Sequence, residues 1–444
     1  MSEKIIHCVL GPGISGVGAS KLLKKMGYAC LIVGDNDPRD WANNFKFLDE
    51  ASLFFHEEDP KLDAHFEGIQ YLILSPGIPR THKLVKKALK SNIEVLNEID
   101  LAFKYLKRFK SKDKKFIGVT GSNGKTTTVS LMNHFLITAG KKTFLGGNIG
   151  TPLSTFVSEE GDAGYYILEL SSFQLESLHR LELDFGFWLN FTSTHEERYK
   201  KIKDYFLAKL EIFKLSKNKI VGTGLREEFD KYNISCDEFI SPQSSILDEF
   251  SLDCWSLKGR HNLDNLMMAV WISQELGLTK EAIQSGINSF EPLEYRMQNI
   301  GRFNDSSFFN DSKSTNIEST IKAISGFDSD NLTLIIGGKI RDESLVDFER
   351  WRAKLEKVNK IIIFGEASHF FKKRKLIKNC AFYDSFFDLT SKDIKSENIL
   401  FSPGFPSFDE FKNYVDRGRA FNNFFENLTN EKSMKKIKEP KSKE

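Results

Sequence analysis

Short apolar runs alternate with amphipathic segments along the first hundred residues of the chain. The apolar runs are IIHCVL, ACLIVGD and YLILSPGIP, and the segments between them include ASKLLKKMG and HKLVKKALK. Buried strands joined by surface helices give this alternation, because each helix crosses back over the sheet before the next parallel strand begins. The pattern therefore predicts an α/β domain built on a parallel sheet.

The same alternation begins twice more along the chain. A second series contains FIGVT, KTTTVSLMNHFLITAG, YYILEL and FGFWLNF, and a third contains LTLIIGG, KIIIFGE and NILFSPG. The polar segment LKRFKSKDKKF separates the first series from the second. We predict an α/β fold of three domains, each a mainly parallel sheet flanked by helices, over residues 1–108, 109–294 and 295–444. A lysine-rich tail from about residue 431 is expected to be disordered.

Charge and cysteine content narrow the class of protein. The 444 residues include 63 basic and 61 acidic side chains, and the net charge of +2 does not indicate a nucleic-acid partner. Five scattered cysteines without a C-x-x-C pair favour a reducing cytoplasm over a zinc site. The start MSEKIIHCVLGPG does not resemble a signal peptide, and no apolar run reaches membrane-spanning length. We therefore expect a cytoplasmic protein without membrane insertion.

The first glycine-rich loop, GPGISG at residues 11–16, follows an apolar strand and opens a helical segment. Asp35 ends the next strand, 19 residues after Gly16. These are the elements of a dinucleotide fingerprint, so a nicotinamide-dependent dehydrogenase is one hypothesis. Glycines bring backbone amides close to any diphosphate at a helix N-terminus, so the loop does not identify the nucleotide. A tight turn that binds no ligand is the simpler alternative.

The second glycine-rich loop lies in GVTGSNGKTTTVS, at residues 118–130. Val119 stands where an ordinary phosphate loop, G-x-x-x-x-G-K-[ST], has its first glycine. Gly124 frees the backbone, Lys125 offers a positive charge to the outer phosphates, and Thr126 offers a hydroxyl to Mg²⁺. A dehydrogenase has no use for such a loop, whereas an ATP-driven condensation uses two phosphate-bearing ligands. A non-catalytic nucleotide-binding module is the remaining alternative.

Several motifs in order resemble those of the Mur ligases, the ATP-dependent amide-forming enzymes that build the peptidoglycan stem peptide. They are GVTGSNGKTTT, ELSSFQLE, NFTSTHEERY, GRHNLDN, YRMQNIG and NDSKSTN. The family loop G-x-x-G-x-N-G-K-[ST] accounts for the unusual spacing. GPGISG, SPGIP and SPGFPSFDEFKNYVDRGRAF are similar to the branch that adds D-glutamate. The resemblance implies Rossmann-like outer domains and a central domain like P-loop ATPases.

The resemblance also implies the reaction. The γ-phosphoryl of ATP is transferred to the alanine carboxylate of UDP-N-acetylmuramoyl-L-alanine, and the amine of D-glutamate attacks the resulting acyl phosphate. Two Mg²⁺ ions are implied as cofactors, and a monomer is expected. Folylpolyglutamate synthases share the loop and the ATP-binding motifs, but they lack a uridine-binding first domain. They are a second hypothesis within the same class.

Site residues follow from the resemblance, motif by motif. For ATP they are Gly121, Ser122, Asn123, Gly124, Lys125, Thr126, Thr127, Asn265, Arg296, Asp311 and Lys313. For the uridine substrate they are Ser15, Asp35, Ser75 and Asn148, and for D-glutamate they are Thr315, Ser407 and Tyr414. For metal ions they are Thr126, Glu169, His195 and Lys209, and Lys125, His195 and Lys209 are the expected catalytic residues.

Lys209 takes part only as a carbamate in this scheme. It falls three residues after Phe206 and four before Phe213, so it shares the apolar face of a predicted helix, although most helical lysines are solvated. A lysine among aromatic side chains has a lowered pKa, and its neutral amine can take up CO₂. The matching family lysine is carbamylated.

Three positions depart from the family pattern. Thr194 precedes His195 where an acidic residue is usual, and Gln298 stands where glutamate is commoner. The run GGKIRDESLVDF lacks the usual placement of the lysine that binds the D-glutamate carboxylate, which leaves Arg341 or Lys339. Arg341 has the better spacing, and a guanidinium can bind a carboxylate through two hydrogen bonds.

Overall fold

The structure is a computed structural model. It describes residues 6–438 except 67, 110–112, 193–198, 200, 236–238, 256, 258, 292–293, 328, 341–351, 353, 356–357, 375–379, 391 and 393–395. Within these ranges, three separate sheets carry the strands.

The first sheet has five parallel strands in the order β3-β2-β1-β4-β5. The strands are β1 Ile6–Leu10, β2 Ala29–Gly34, β3 Leu53–His56, β4 Tyr71–Leu74 and β5 Glu94–Leu96. The helices are α1 Ile14–Lys25, α2 Pro38–Trp41, α3 Leu62–Phe66, α4 Lys83–Lys90 and α5 Glu98–Phe109, with a 3₁₀ helix at Ala42–Phe45. Every residue of β2 is buried, as expected for a strand with helices on both faces. The loop after β1 and the loop after β4 meet where the strand order reverses, which is the usual place for a ligand.

The second sheet is also parallel, in the order β10-β9-β6-β8-β7. Its strands are β6 Lys115–Thr120, β7 Thr143–Gly147, β8 Tyr165–Glu169, β9 Leu183–Trp188 and β10 Ser216–Val221. The helices are α6 Lys125–Thr138, α7 Leu153–Ser158, α8 Ser172–Leu175, α9 Ile202–Lys214, α10 Leu225–Lys231, α11 Arg260–Glu275 and α12 Lys280–Ser289, with a 3₁₀ helix at Ser244–Glu249. The buried central strand β6 leads directly into the second glycine loop.

The third sheet has six strands in the order β11-β12-β16-β13-β14-β15. The strands are β11 Gln298–Phe303, β12 Ser306–Asn310, β13 Leu332–Gly337, β14 Lys360–Phe364, β15 Cys380–Phe382 and β16 Asn398–Gly404. The helices are α13 Ile317–Ile324, α14 Gly365–Arg374 and α15 Tyr414–Lys438, with 3₁₀ helices at Ser329–Asn331 and Phe386–Asp388. Only the β11–β12 pair in this sheet is antiparallel within the described residues.

These sheets confirm the predicted fold class of three mainly parallel α/β domains. By compactness the chain divides into two units. Unit 1 comprises residues 1–253 and 264–289 and contains the first two sheets, and unit 2 comprises residues 254–263 and 290–444 and contains the third. The domain boundaries near residues 108 and 294 stay a prediction.

The expected tail begins within α15, whose backbone is helical as far as Lys438, and residues 439–444 lie outside the described residues. No helix in the described ranges is long and apolar enough to cross a membrane.

Candidate active site

The phosphate loop, residues 121–124, lies between β6 and α6 at the carboxyl end of the second sheet. Gly124 has a φ of +81°, and a Cβ atom there would lie 2.4 Å from Asn265 Oδ1. Only glycine fits this position without strain. Asn265 Oδ1 on α11 also accepts a hydrogen bond from Thr128 Oγ1 at 3.2 Å. The structure therefore brings Asn265, a predicted ATP contact, to the phosphate loop.

Lys125 lies half-buried over this loop. Its Nζ atom donates to the backbone carbonyls of Gly121 at 2.8 Å and Ser122 at 3.1 Å. Ser122, Asn123 and Thr127 are likewise half-buried beside it. An ammonium group beside the loop provides the positive charge that a bound phosphate requires.

Thr126, Glu169 and Asn148 form a polar cluster beside the loop. Thr126 Oγ1 donates to Glu169 Oε2 at 2.5 Å, and Asn148 Nδ2 donates to Glu169 Oε1 at 2.9 Å. Glu169 is buried at the end of β8, and its backbone carbonyl accepts from the Asn148 amide at 2.8 Å. The carboxylate and the hydroxyl are oxygen donors of the kind that Mg²⁺ prefers. Glu169 at the end of β8 therefore contacts two other predicted site residues, Thr126 at the start of α6 and Asn148 in the loop after β7.

Lys209 on α9 is only 1% exposed. Its Nζ atom donates to the Gly121 carbonyl at 2.9 Å and lies 4.8 Å from the centre of the Tyr205 ring. Burial first, and then the charge of Lys125, lower the pKa of Lys209 well below its usual value, while Glu169 opposes the shift. The fold therefore favours a neutral amine beside the phosphate loop.

Asn190 is a site residue that the sequence reasoning did not single out. Its Oδ1 atom accepts from the Asn123 amide at 2.9 Å, and its Nδ2 atom donates to the Asn123 carbonyl at 3.0 Å. The backbone carbonyl of Asn190 also accepts from the Ser122 amide at 3.1 Å. One side chain thus holds both backbone groups of a loop residue. The sequence did contain a feature that pointed to Asn190, since this residue begins the motif NFTSTHEERY just after a buried strand.

The first glycine loop and Ser75 come together at the reversal point of the first sheet. Ser75 Oγ donates to the Gly11 carbonyl at 3.0 Å, and Gly11 has a φ of +102°. Ser15 lies half-buried in the first turn of α1. Asp35 is exposed after β2, and its backbone carbonyl lies 3.0 Å from His56 Nε2. The predicted uridine-substrate residues of this domain thus occupy neighbouring loops at one edge of the sheet.

Asp311 is a predicted ATP-binding residue of unit 2, and its surroundings shift its pKa. Its Oδ2 atom accepts from Ser314 Oγ at 2.6 Å and Ser402 Oγ at 2.7 Å, and its Oδ1 atom accepts from the Met297 amide at 3.2 Å. Burial raises the pKa of Asp311 to about 6, against the opposing effect of these hydrogen bonds. Arg296 is half-buried near the start of β11.

The predicted D-glutamate residues lie on loops after the strands of the third sheet. Lys313 Nζ is 3.8 Å from the centre of the Tyr414 ring, a cation–π contact. Thr315 is half-buried and Ser407 is buried. Lys339 is exposed, and its amide donates to the Pro406 carbonyl at 2.7 Å, beside Ser407. The ends of β12, β13 and β16 therefore place these residues together.

Arg417 on α15 joins these loops and was not anticipated from the sequence. Its fully buried guanidinium donates to the carbonyls of Phe405 at 2.8 Å, Ser312 at 2.9 Å and Gly337 at 3.3 Å. Burial lowers its pKa to about 10. The planar guanidinium, with five N–H donors, can bind all of these acceptors at once.

Two predicted residues, His195 and Arg341, lie outside the described residues. Among the residues that are described, no group of three His, Cys, Asp or Glu side chains forms a metal cluster. The predicted metal ligands are different in kind, since they combine a threonine, one carboxylate, a histidine and a modified lysine.

Comparisons with known proteins define the class to which this site belongs. A family model described as the Mur ligase middle domain matches residues 119–229. The chain is 30% identical to the UDP-N-acetylmuramoylalanine–D-glutamate ligase of Prochlorococcus marinus, over 94% of this chain and 96% of that protein. This chain accordingly belongs to the Mur ligase family, as its motifs predicted.

A second relative has the same name. The UDP-N-acetylmuramoylalanine–D-glutamate ligase of Streptococcus agalactiae is also 30% identical, over 95% of this chain and 97% of that protein. Among solved structures, the MurF ligase of Thermotoga maritima in complex with ADP aligns with a TM-score of 0.57 at 15% identity, covering 91% of this chain and 96% of that one. The structural likeness shows the fold.

Proposed function

We propose that this protein is an ATP-dependent ligase that adds D-glutamate to UDP-N-acetylmuramoyl-L-alanine in peptidoglycan precursor synthesis. The contact of Thr126, Glu169 and Asn148 beside Lys125 is the observation that carries the proposal. It supplies a cation and oxygen ligands at a loop that follows a central strand, as phosphoryl transfer requires. The names of two relatives that each cover nearly the whole chain support the choice of substrates.

The phosphate loop has a defined part in this reaction. The phosphate loop at residues 121–124 and the Lys125 ammonium bind the β- and γ-phosphates of ATP. Both ATP and the alanine carboxylate are anions, so the transfer needs concentrated positive charge where they meet. The product of the first step is an acyl phosphate, and attack by the D-glutamate amine forms the amide and releases phosphate.

Metal ions fit the residues at this site. Thr126 and Glu169 would hold one Mg²⁺, and His195 with carbamylated Lys209 would hold a second. Bound Mg²⁺ neutralises phosphate charge during the transfer. Burial lowers the pKa of Lys209 and so favours the carbamate, because only an uncharged amine reacts with CO₂.

Unit 2 carries the remaining roles in the proposal. Arg296, Asp311 and Lys313 bind ATP, and Thr315, Ser407 and Tyr414 bind D-glutamate. Arg341 binds the D-glutamate carboxylate, with exposed Lys339 as the alternative. We further propose that the protein acts as a cytoplasmic monomer.

A single assay tests the proposal. The purified protein is supplied with UDP-N-acetylmuramoyl-L-alanine, ATP, Mg²⁺ and one amino acid at a time, and phosphate release is measured. We expect strong release with D-glutamate and little with L-glutamate, and mass spectrometry should detect the ligated product. Equal release with several amino acids, or folate-dependent release alone, would refute the assigned substrates.

A further inference from the structure

Three polar side chains at the start of α5 are buried against the central domain. Asn97, Glu98 and Asp100 are each at most 2% exposed, although α5 is the last helix of the first sheet domain. Buried polar groups persist only where partners satisfy them. The hydrogen-bond partners of these three side chains therefore show which segments of the central domain are attached to α5.

Asp100 binds a row of three backbone amides in the segment between α8 and β9. Its Oδ1 atom accepts from Arg180 at 3.0 Å and Leu181 at 2.9 Å, and its Oδ2 atom accepts from His179 at 3.1 Å. All three donors belong to the central domain. One carboxylate of the first domain thus fixes a whole turn of the second.

Glu98 and Asn97 hold two further segments of the central domain. Glu98 Oε2 accepts from the Ser154 amide, in the first turn of α7, at 2.9 Å. Asn97 Nδ2 donates to Ser177 Oγ at 3.2 Å and to the Gln174 carbonyl at 3.5 Å. The helix α7 follows the Asn148 loop, and α8 begins three residues after β8 ends. The segments that follow Asn148 and Glu169 along the chain are therefore both attached to α5.

A second contact ties the first glycine loop to the same segment. Gly18 in α1 packs so closely on α7 that a Cβ atom would lie 2.7 Å from both Ser154 Oγ and Thr155 Oγ1. The loop containing Ser15 opens α1. The loop for the uridine diphosphate and the loop of Asn148 are thereby joined through α1, α7 and α5.

We infer that Asn97, Glu98 and Asp100 are positioning residues that fix the distance between the first-domain diphosphate loop and the central-domain phosphate site. This inference rests on the proposed function, in which one substrate, a nucleotide-linked acid, touches both loops. Such a ligand binds like two linked ligands, so its affinity depends on the geometry between the two sites. UDP alone binds to the first domain, and ADP alone binds to the central domain and unit 2. Neither ligand touches both loops, so neither depends on the distance between them.

The test compares spanning and non-spanning ligands. Asp100→Asn keeps the size of the side chain but places an NH₂ group against the His179 amide, so two donors face each other. We expect the Kd and KM for UDP-N-acetylmuramoyl-L-alanine to rise about tenfold, because the effective concentration of one site for the other falls. The Kd values for UDP and ADP should stay within about twofold of wild type.

Glu159→Gln is the matched control. Glu159 pairs with Lys21 between the same two domains at 2.8 Å, but both side chains are at the surface. Such exposed pairs contribute little, so all three affinities should be unchanged. If Asp100→Asn does not fold, Ser177→Ala is tested instead, since it removes one of the two acceptors of Asn97, the closer one. The same pattern of ligand affinities is expected, with a change of about threefold.

Equal weakening of all three ligands, or of none, in a folded variant would overturn the positioning role. The wild-type ligation assay stands apart from this comparison. A wild type that ligates D-glutamate and an Asp100→Asn protein with unchanged substrate affinity would refute only the inference about α5.

Discussion

At the scale of single residues, the site depends on side chains that bind backbone groups as much as on those that face ligands. Asn190 and Lys125 both hold carbonyls of the phosphate loop, and Lys209 shares the Gly121 carbonyl with Lys125. Side chains of the protein therefore fix the shape of the loop. Preorganisation of this kind lowers the cost of binding and of stabilising the transition state.

Loss of the Lys125 ammonium should abolish turnover. For Lys125→Ala we expect a fall in kcat of about a thousandfold, because a preorganised positive charge at the transferred phosphoryl is removed. Phosphate release under saturating substrates measures it. Lys141→Ala is the control and should keep wild-type activity, because Lys141 is exposed and lies three residues after the same helix ends. Wild-type turnover in the Lys125 variant would refute the role of the loop.

Replacing Asn190 by aspartate should weaken ATP binding selectively. Aspartate can accept from the Asn123 amide but cannot donate to its carbonyl, and it adds a negative charge beside the phosphates. We expect the KM for ATP to rise about tenfold with an unchanged KM for the uridine substrate. Asn218→Asp is the control, since Asn218 is an exposed residue of β10 that donates to the Asp184 carbonyl on β9. Parallel changes in both KM values would contradict this assignment.

At the scale of elements, the ends of the strands position the active-site residues. Gly147 shows how closely two neighbouring strand ends pack. Gly147 ends β7 with a φ of +99°, and a Cβ atom there would lie 2.3 Å from the Glu169 carbonyl. No side chain can yield to make room, because the obstacle is backbone. The position of Asn148 against Glu169 therefore depends on glycine at 147.

Gly147→Ala should raise the Mg²⁺ concentration needed for activity. The added methyl group forces β7 away from β8 and separates Asn148 from Glu169, which we expect to cost about tenfold in apparent Mg²⁺ affinity. Titration of activity with MgCl₂ measures the effect. Gly164→Ala is the control, because a Cβ atom there meets nothing closer than 3.8 Å. An unaltered Mg²⁺ requirement would contradict the proposed metal site.

The strand β1 carries a buried histidine that should make the first domain sensitive to acid. His7 is fully buried between Tyr28 and Tyr71, and neither ring nitrogen has a hydrogen-bond partner. Burial, and then the charge of Lys104, lower its pKa to about 4. The unfolded chain takes up a proton near pH 6.5, so stability is present above that pH and falls as the pH drops toward 4.

His7→Phe should remove this acid sensitivity. Between pH 7 and pH 4 the wild type should lose about 3 kcal/mol of stability more than the variant does. Hydrogen exchange at the β1 amides, which reports the free energy of opening, measures the difference. The control is His65→Phe, at an exposed position of the same domain. Its stability should depend on pH as that of the wild type does. Identical pH profiles for wild type and His7→Phe would show that His7 does not titrate as proposed.

The sequence predicted elements better than it predicted the contacts between them. Runs such as ACLIVG and LTLIIG form fully buried strands, because burial on both faces requires unbroken apolar residues. The antiparallel β11–β12 pair was missed, since QNIGRF is half-buried and carries no clear period. The position of Glu169 could be predicted because this residue ends an apolar strand of its own, β8. Asn190, Asp100 and Arg417 could not, because the partners of their side chains, apart from Phe405 for Arg417, lie 67 to 105 residues away along the chain.

At the scale of the whole molecule, the chain contains two compact units, and the predicted ligand contacts divide between them. Residues for the uridine substrate, the phosphate loop and the first metal site belong to unit 1. Asp311, Lys313 and the predicted D-glutamate residues belong to unit 2. Each unit has its own hydrophobic core, so each can respond separately to a ligand.

UDP should therefore stabilise unit 1 alone. At a concentration of about 100 times its Kd, a ligand that binds only the folded state adds about 2.7 kcal/mol. Hydrogen exchange should show this protection in β1, β2 and β4 and no change in β13 and β16. Equal protection of the third sheet would mean that the uridine nucleotide binds elsewhere.

The anchoring of α5 has a consequence for domain exchange. A chimera cut near residue 108 would import a foreign α5 and leave the amides of residues 179–181 without the carboxylate of Asp100. Three donors without their acceptor, the buried Leu181 amide among them, would destabilise the hybrid, whatever nucleotide its new first domain recognised. A transplant that also carries the matching turns at residues 152–155 and 174–181 keeps donor and acceptor together. To change nucleotide specificity by domain exchange, more than the first sheet and its helices must therefore be transferred.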